Sequence, residues 1–289
     1  AVIFAEGTRR LAASNMVYDH RSEELVAGGG VSVAGSEWKG ILRSDSLYFN
    51  LQKERGVLLG HPHLRSIEEN DLHLSADSMH FDMSARTIEG VGQYQLTSGS
   101  VRVDAQQGRY AAADNQVVFV GSVFLREIAA DTLAKYQIES DSMTVELADG
   151  VATEVYAGGA FKGHVVLSTG DATSWLAGSR GIVALEDDQL SAVTLEHDAD
   201  VTYRHIPKDQ VSRFRGDEIV LHFNTEGLQQ VRVEGSAVLE ARLVRSVGDI
   251  AINNIKGEEM DIYFANGLLV RVEVGPQVEG TYLPQEDTQ

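Results

Sequence analysis

Residues 140–158 read Ser-Asp-Ser-Met-Thr-Val-Glu-Leu-Ala-Asp-Gly-Val-Ala-Thr-Glu-Val-Tyr-Ala-Gly, and their pattern decides the fold. Met143, Val145 and Leu147 stand at every second position with Thr144 and Glu146 between them, so one face is apolar and the other polar. A period of two is that of a β-strand with one buried and one wet face, the signature of an antiparallel sheet. Asp149-Gly150 then supplies the positive φ values of a tight hairpin, and Val155-Tyr156-Ala157-Gly158 returns as a second apolar run closing on glycine.

The same unit, a small residue, a polar pair and then an alternating apolar run, recurs along the whole chain. Its other copies begin at Ala13-Ser14-Asn15-Met16, Ser44-Asp45-Ser46-Leu47, Ala76-Asp77-Ser78-Met79, Ala105-Gln106-Gln107-Gly108, Gly178-Ser179-Arg180-Gly181, Gly216-Asp217-Glu218-Ile219 and Gly257-Glu258-Glu259-Met260. The copies that start at Ala105 and Gly178 are degraded, with glycine in the apolar place. Closing runs include Val26-Ala27-Gly28, Val118-Phe119-Val120-Gly121, Val231-Arg232-Val233-Glu234-Gly235 and Val270-Arg271-Val272-Glu273-Val274-Gly275. A hairpin unit spaced at roughly 29 to 41 residues cannot bury its own apolar face, so the units are expected to stack around one shared core. Gly28-Gly29-Gly30, Glu226-Gly227 and Asn266-Gly267 read as further turns, and His205-Ile206-Pro207-Lys208-Asp209 as a protruding hairpin loop. Only Arg126–Tyr136 offers a helix, and it reads equally well as a loop; it marks a soft boundary near 126–137 within one continuous stack over 1–289, with 284–289 a flexible tail.

Composition narrows the function. The 289 residues carry 24 basic and 43 acidic side chains, a formal charge of −19, which argues against nucleic acid and against lying flat on anionic headgroups. Cysteine is absent, so neither disulfides nor thiolate metal sites hold the fold. No stretch reaches the roughly 18 to 20 apolar residues of a membrane-spanning helix.

The small-Asp-Ser-apolar strands, best preserved at Ser44–Leu51, at Leu74–Met83 with Ile88-Glu89-Gly90, and at Gly216–Leu239, resemble the OstA/LptA-type repeat of the periplasmic lipopolysaccharide-transport proteins. The likeness extends from about Ala13 to Tyr282. It implies an all-β, elongated incomplete antiparallel jelly roll, a β-taco, in which two sheets face each other across an apolar groove. It further implies a non-enzymatic periplasmic protein that needs no cofactor, carries lipopolysaccharide or another acylated lipid from inner to outer membrane, and joins partners of the same fold, or further copies of itself, end to end through its terminal edge strands. The groove-lining residues are then Leu47, Phe49, Met79, Phe81, Met83, Met143, Val145, Leu147, Ile219, Leu221, Phe223, Met260, Ile262 and Phe264. Acyl chains buried against such a wall are held by about 0.8 kcal/mol per CH₂, and methionine offers an adaptable surface for them. Alternation by itself describes a closed core equally well; the resemblance is what turns that face into a groove.

Other chemistry finds less support. His61-Pro62-His63, with His73 and His80, is the one cluster of metal-ligand type, but Pro62 interrupts the strand, and a solvated loop is the expected reading. Adjacent carboxylates such as Asp187-Asp188 and Glu258-Glu259 point to opposite faces of a strand, which does not suit acid-base hydrolysis. No nucleophile-elbow, Walker or dinucleotide fingerprint occurs. Two alternatives stay open: a carbohydrate-active β-helix enzyme, and a self-assembling structural β-solenoid.

Overall fold

The computed structural model describes residues 2–6, 9–35, 40–66, 72–128, 134–167, 170–224, 227–246 and 249–285. Among them there are twenty-one strands and no helix, so the protein is all-β. It folds as two compact units, 1–125 with 142–153, and 126–141 with 154–289. The first contains β1 (Val2–Glu6), β2 (Arg9–Ala13), β3 (Asn15–Asp19), β4 (Glu24–Gly35), β5 (Gly40–Asn50), β6 (Arg55–Leu59), β7 (His63–Ser66), β8 (His73–Ser75), β9 (Ser78–Asp82), β10 (Thr87–Ser98), β11 (Val101–Ala111) and most of β12 (Gln116–Glu127). Strands β13 (Ala134–Ala148) and β14 (Val151–Leu167) contribute to both units. The second continues with β15 (Ala172–Glu186), β16 (Gln189–His205), β17 (Gln210–Asn224), β18 (Gly227–Ser246), β19 (Asp249–Ala265), β20 (Leu268–Val274) and β21 (Glu279–Gln285). Of the segment with helical potential, Arg126 and Glu127 end β12 and Ala134–Tyr136 begin β13, while 129–133 lie outside the described residues. Pro284 and Gln285 end β21, and the rest of the expected tail, 286–289, also lies outside them.

The described pairings are all antiparallel, most of them between consecutive strands, which is not the parallel arrangement of a β-helix. The long strands each serve two sheet halves. Strand β5 pairs with β6 through residues 46–50 and with β7 through 40–43; β10 pairs with β9 through 87–91 and with β8 through 95–97. In the second unit β19 pairs with β20 through 260–265 and with β21 through 250–256. Each unit is therefore a folded sheet. A first wall is built from the segments after each small-polar-polar motif, and a second wall from the segments before it.

The repeated motif is the crease. Register slips there by one residue in pair after pair: Asp45 alone faces Gly29-Gly30, Gln106 faces Gly92-Gln93, Ser179 faces Gly159-Ala160, and Asp217 faces His197-Asp198. These are β-bulges, two residues opposed by one, and such insertions bend a strand sharply. The extra pairs all have positive φ: 74° and 84° at Gly29-Gly30, 74° and 47° at Gly92-Gln93, 69° and 50° at Gly235-Ser236. The expected turn at Gly28–Gly30 is thus a crease in the middle of β4, because a hairpin turn and a bulge draw on the same left-handed conformation. The acidic residue of the motif packs against the neighbouring crease glycine: a Cβ on Gly60, Gly92 or Gly235 would overlap the carboxylate of Asp45, Asp77 or Asp217. Asp77 N–H also donates to Gly92 O at 2.8 Å. Aspartate and glycine, distant in sequence, are one structural pair.

The degraded copies have a local cause. Tyr94 and Phe161 follow the bulge pairs of β10 and β14 and lay their rings on Gly108 and Gly181, where a Cβ would overlap the aromatic carbons. Glycine replaces the apolar motif residue because the neighbouring aromatic already fills its place.

Candidate functional site

Inside each unit the two walls meet through their side chains. Tyr94 of the second wall lies 5.6 Å from Phe119 of the first, and Tyr203 lies 4.9 Å from Phe264, edge to face. Met79, Val145, Ile219, Leu221 and Ile262 are fully enclosed, and Leu47, Met143, Met260, Phe81, Phe264, Met83 and Leu147 nearly so. Phe49 and Phe223 are half-buried toward the strand ends. All fourteen residues named from the sequence belong to the first wall.

The second wall escaped that reading. It consists of Leu42, Leu64, Leu74, Leu96, Val103 and Leu125 in the first unit, and Phe161, Leu176, Val201, Phe214 and Leu239 in the second, each buried. A signal was present: Leu72, Leu74 and Ala76 alternate up to the motif, and the buried positions resume three residues later at Met79 and Phe81. On bulged β18 the buried positions step from Val233 to Ala237, four residues, while on motif strand β5 they step from Ser44 to Leu47, three. The difference of one residue is the bulge itself.

Opposite the crease, polar contacts join the free lips of the walls. In the first unit Ser98 Oγ donates to Gly150 O at 2.7 Å and accepts from Ala152 N–H at 3.1 Å. In the second, Tyr203 Oη donates to Gly267 O at 2.7 Å, and a Cβ on Gly227 would meet Leu167 Cδ1 at 2.7 Å. Burial pushes the Tyr203 phenol well above its ordinary pKa, so it remains a donor. Thr173, Ser174, His205 and Ser212 are buried toward this end of the second wall, and His205 Nδ1 finds no hydrogen-bond partner among the described residues.

On the described strands β3 and β20 the inward-facing side chains are partly exposed. On β3, Met16 and Tyr18 pair with buried Ala27 and Leu25, yet Tyr18 is 45% exposed. On β20, Val272 and Val274 pair with buried Ile262 and Met260 and are half-exposed. Strand β1 and strand β21 hold the corresponding places on the second wall.

Of the four histidines that suggested a metal site, His63 and His73 stack at 5.7 Å on the outer face of the second wall. His61 lies 4.0 Å from Asp77 at the crease, and His80 stands on the outer face of the first wall. Among the described residues no group of three or more His, Asp or Glu side chains could hold a metal ion.

No family model matches the sequence, and no curated protein does. Among solved structures the chain is similar to LptH from Pseudomonas aeruginosa, described as the LptA homologous periplasmic component of the conserved lipopolysaccharide transport device. The identity is 12%, the alignment covers 36% of this chain and 76% of that chain, and the TM-score is 0.34.

Proposed function

We propose that the chain is a non-enzymatic periplasmic carrier of acylated lipid, lipopolysaccharide or a relative of it, whose acyl chains lie between the two walls of each β-taco unit. The observation that carries this reading is the construction of the interior: two walls built mainly of apolar side chains, creased along a row of β-bulges, with buried polar groups such as Ser98, Ser174, His205 and Ser212 toward the edge opposite the crease. A lipid site needs an edge that parts. Each CH₂ taken up is worth about 0.8 kcal/mol, so two or three acyl chains outweigh the lip contacts that their entry breaks. The repeat's resemblance to the lipopolysaccharide-transport proteins points the same way.

Strands β1, β3, β20 and β21 fit partners of the same fold, added edge to edge so that interiors run on from one molecule to the next. In that arrangement Tyr18 and Val272 meet apolar neighbours in place of water. Photo-crosslinking tests the reading. A crosslinker at Phe81 or Val145, inside the walls, is expected to capture acylated lipid in cells, whereas one at His80 or Thr144, on the outer face, is not. Equal labelling at inner and outer positions overturns the proposal. Tyr282→Pro, in the last strand, is expected to reduce crosslinks to neighbouring proteins while the units stay folded.

A further inference from the structure

The hydroxyl of Tyr94 is a polar atom set in an apolar interior. Tyr94 follows the Gly92-Gln93 bulge of β10, is fully buried, and its Oη has no hydrogen-bond partner among the described residues. Its ring is seated on Gly90 and Gly108, where a Cβ on either glycine would overlap the aromatic carbons, and it lies 5.6 Å from Phe119. Burial, with the Tyr110 phenol close by, pushes the Tyr94 hydroxyl well above its ordinary pKa, so it keeps its proton and stays a donor. A buried donor left unmet destabilises the fold, and native structures rarely keep one without a reason. Packing is not the reason. Phe161 follows the bulge of β14 in the second unit, is equally buried, and lays its ring on Gly181 with no hydroxyl at all.

From this contrast we infer that Tyr94 reads the ligand of the first unit: its hydroxyl bonds a neutral oxygen, ketone or hydroxyl, carried partway along an acyl chain lying between the walls. The second unit, with Phe161 at the matching place, takes plain hydrocarbon there. This assignment rests on the carrier reading above, because the oxygen arrives only with a chain that has parted the lips. The oxygen is not the ligand's charged end. Tyr94 lies about 13 Å along β10 from the lip residue Ser98, four residues at roughly 3.3 Å each, and a carboxylate carried that far into an apolar interior would be stripped of water with no cation to meet it. A neutral oxygen sited mid-chain reaches Tyr94 while the charged end stays at the lip. A ketone is satisfied by one donor and brings none of its own, whereas a hydroxyl brings a second hydrogen to place.

Isothermal titration of the whole chain with stearate, 12-oxostearate and 12-hydroxystearate tests the assignment, in the parent and in Tyr94→Phe. That variant keeps the ring, and with it the packing on both glycines. The preference for an oxygenated acid over stearate, taken as a ratio of dissociation constants, is expected to be about tenfold larger in the parent than in Tyr94→Phe, since the variant leaves the buried oxygen of the ligand unmet. Stearate itself is expected to bind the variant as tightly as the parent or more so. A tyrosine that merely supported the fold would shift all three acids together. Loss of preference for the 12-oxo acid alone assigns a ketone, and for the 12-hydroxy acid alone a hydroxyl. Tyr48→Phe, which removes a hydroxyl from the outer face of β5, is expected to leave all three affinities unchanged. If stearate binds but the parent and Tyr94→Phe rank the three acids alike, the role given to Tyr94 is overturned and the carrier reading survives. If none of the three binds the parent, both fall together.

Discussion

Replacing Ser98 with alanine removes a single oxygen atom from the lip of the first unit. Ser98 is fully buried and its hydroxyl serves two partners, donating to Gly150 O at 2.7 Å and accepting from Ala152 N–H at 3.1 Å. The two losses are unequal. Gly150 sits in a half-buried turn where water can take its carbonyl, so that bond costs about 0.5–1.5 kcal/mol. Ala152 is 1% exposed, and its orphaned N–H carries a desolvation cost of about 1–3 kcal/mol. Together they predict a loss of about 1.5–4.5 kcal/mol in urea unfolding. If the contact acts mainly as a latch, that loss appears as local opening, raised about tenfold or more, since every 1.4 kcal/mol is a factor of ten. Hydrogen exchange at the Ala152 amide should accelerate by that factor, and uptake of a fluorescent fatty acid should become faster. An unfolding change below about 0.5 kcal/mol with unchanged exchange at Ala152 would refute the idea that this hydroxyl holds the lips together.

Three further outcomes follow from the same geometry. At the crease, Gly30→Ala (φ 84°, nothing within 4 Å of the new Cβ) is expected to cost only the left-handed strain of about 1–2 kcal/mol, whereas Gly235→Ala (φ 69°) must also displace the short Asp217 side chain and should cost about 1–3 kcal/mol more; equal costs in chemical denaturation would sink the aspartate–glycine pairing. Tyr94→Phe removes a fully buried hydroxyl that has no hydrogen-bond partner among the described residues, and should leave stability unchanged or raise it by up to about 2 kcal/mol, as Phe161 illustrates at the matching place in the second unit; a clear loss would reveal a partner for that hydroxyl. Asp82 accepts from Ser84 Oγ at 2.7 Å and from Ala85 N–H at 2.9 Å, and these bonds, with Arg55 beside it, hold its pKa at about 2 against an ordinary 3.8. Because the folded value is depressed, its contribution is complete above about pH 4 and is lost as pH falls toward 2, so the stability difference between the parent and Asp82→Asn should be flat near neutrality and shrink across that window; a difference independent of pH would contradict the assignment.

Much of this molecule is legible in its amino-acid order. Alternation at Leu47/Phe49, Met79/Phe81, Met143/Val145 and Met260/Ile262 states that these segments are strands and names their inward side, because a period of two has one physical solution. Asp149-Gly150 and Asn266-Gly267 declare hairpin turns through the positive φ their backbones adopt, 51° and 85°, 50° and 72°.

Sequence alone determined, then, that the chain is antiparallel β, which faces of the first wall are apolar, and that a motif recurs. Only tertiary structure decided what the motif is for. A small-Asp-Ser run looks like the start of a strand, and Gly28-Gly29-Gly30 like a turn, since bulge and turn share one backbone conformation; that they crease the middle of β5 and β4 emerges when neighbouring strands are set side by side and a register slip appears. The second wall stayed hidden for the same reason, its alternation being shifted by one residue at each crease. The lip contacts Ser98–Gly150 and Tyr203–Gly267, and the seating of Tyr94 on Gly108, join residues whose separation along the chain carries no local pattern. Periodicity reports which side of a strand faces inward, whereas contact between strands depends on register, and register is set by the packing of the whole sheet.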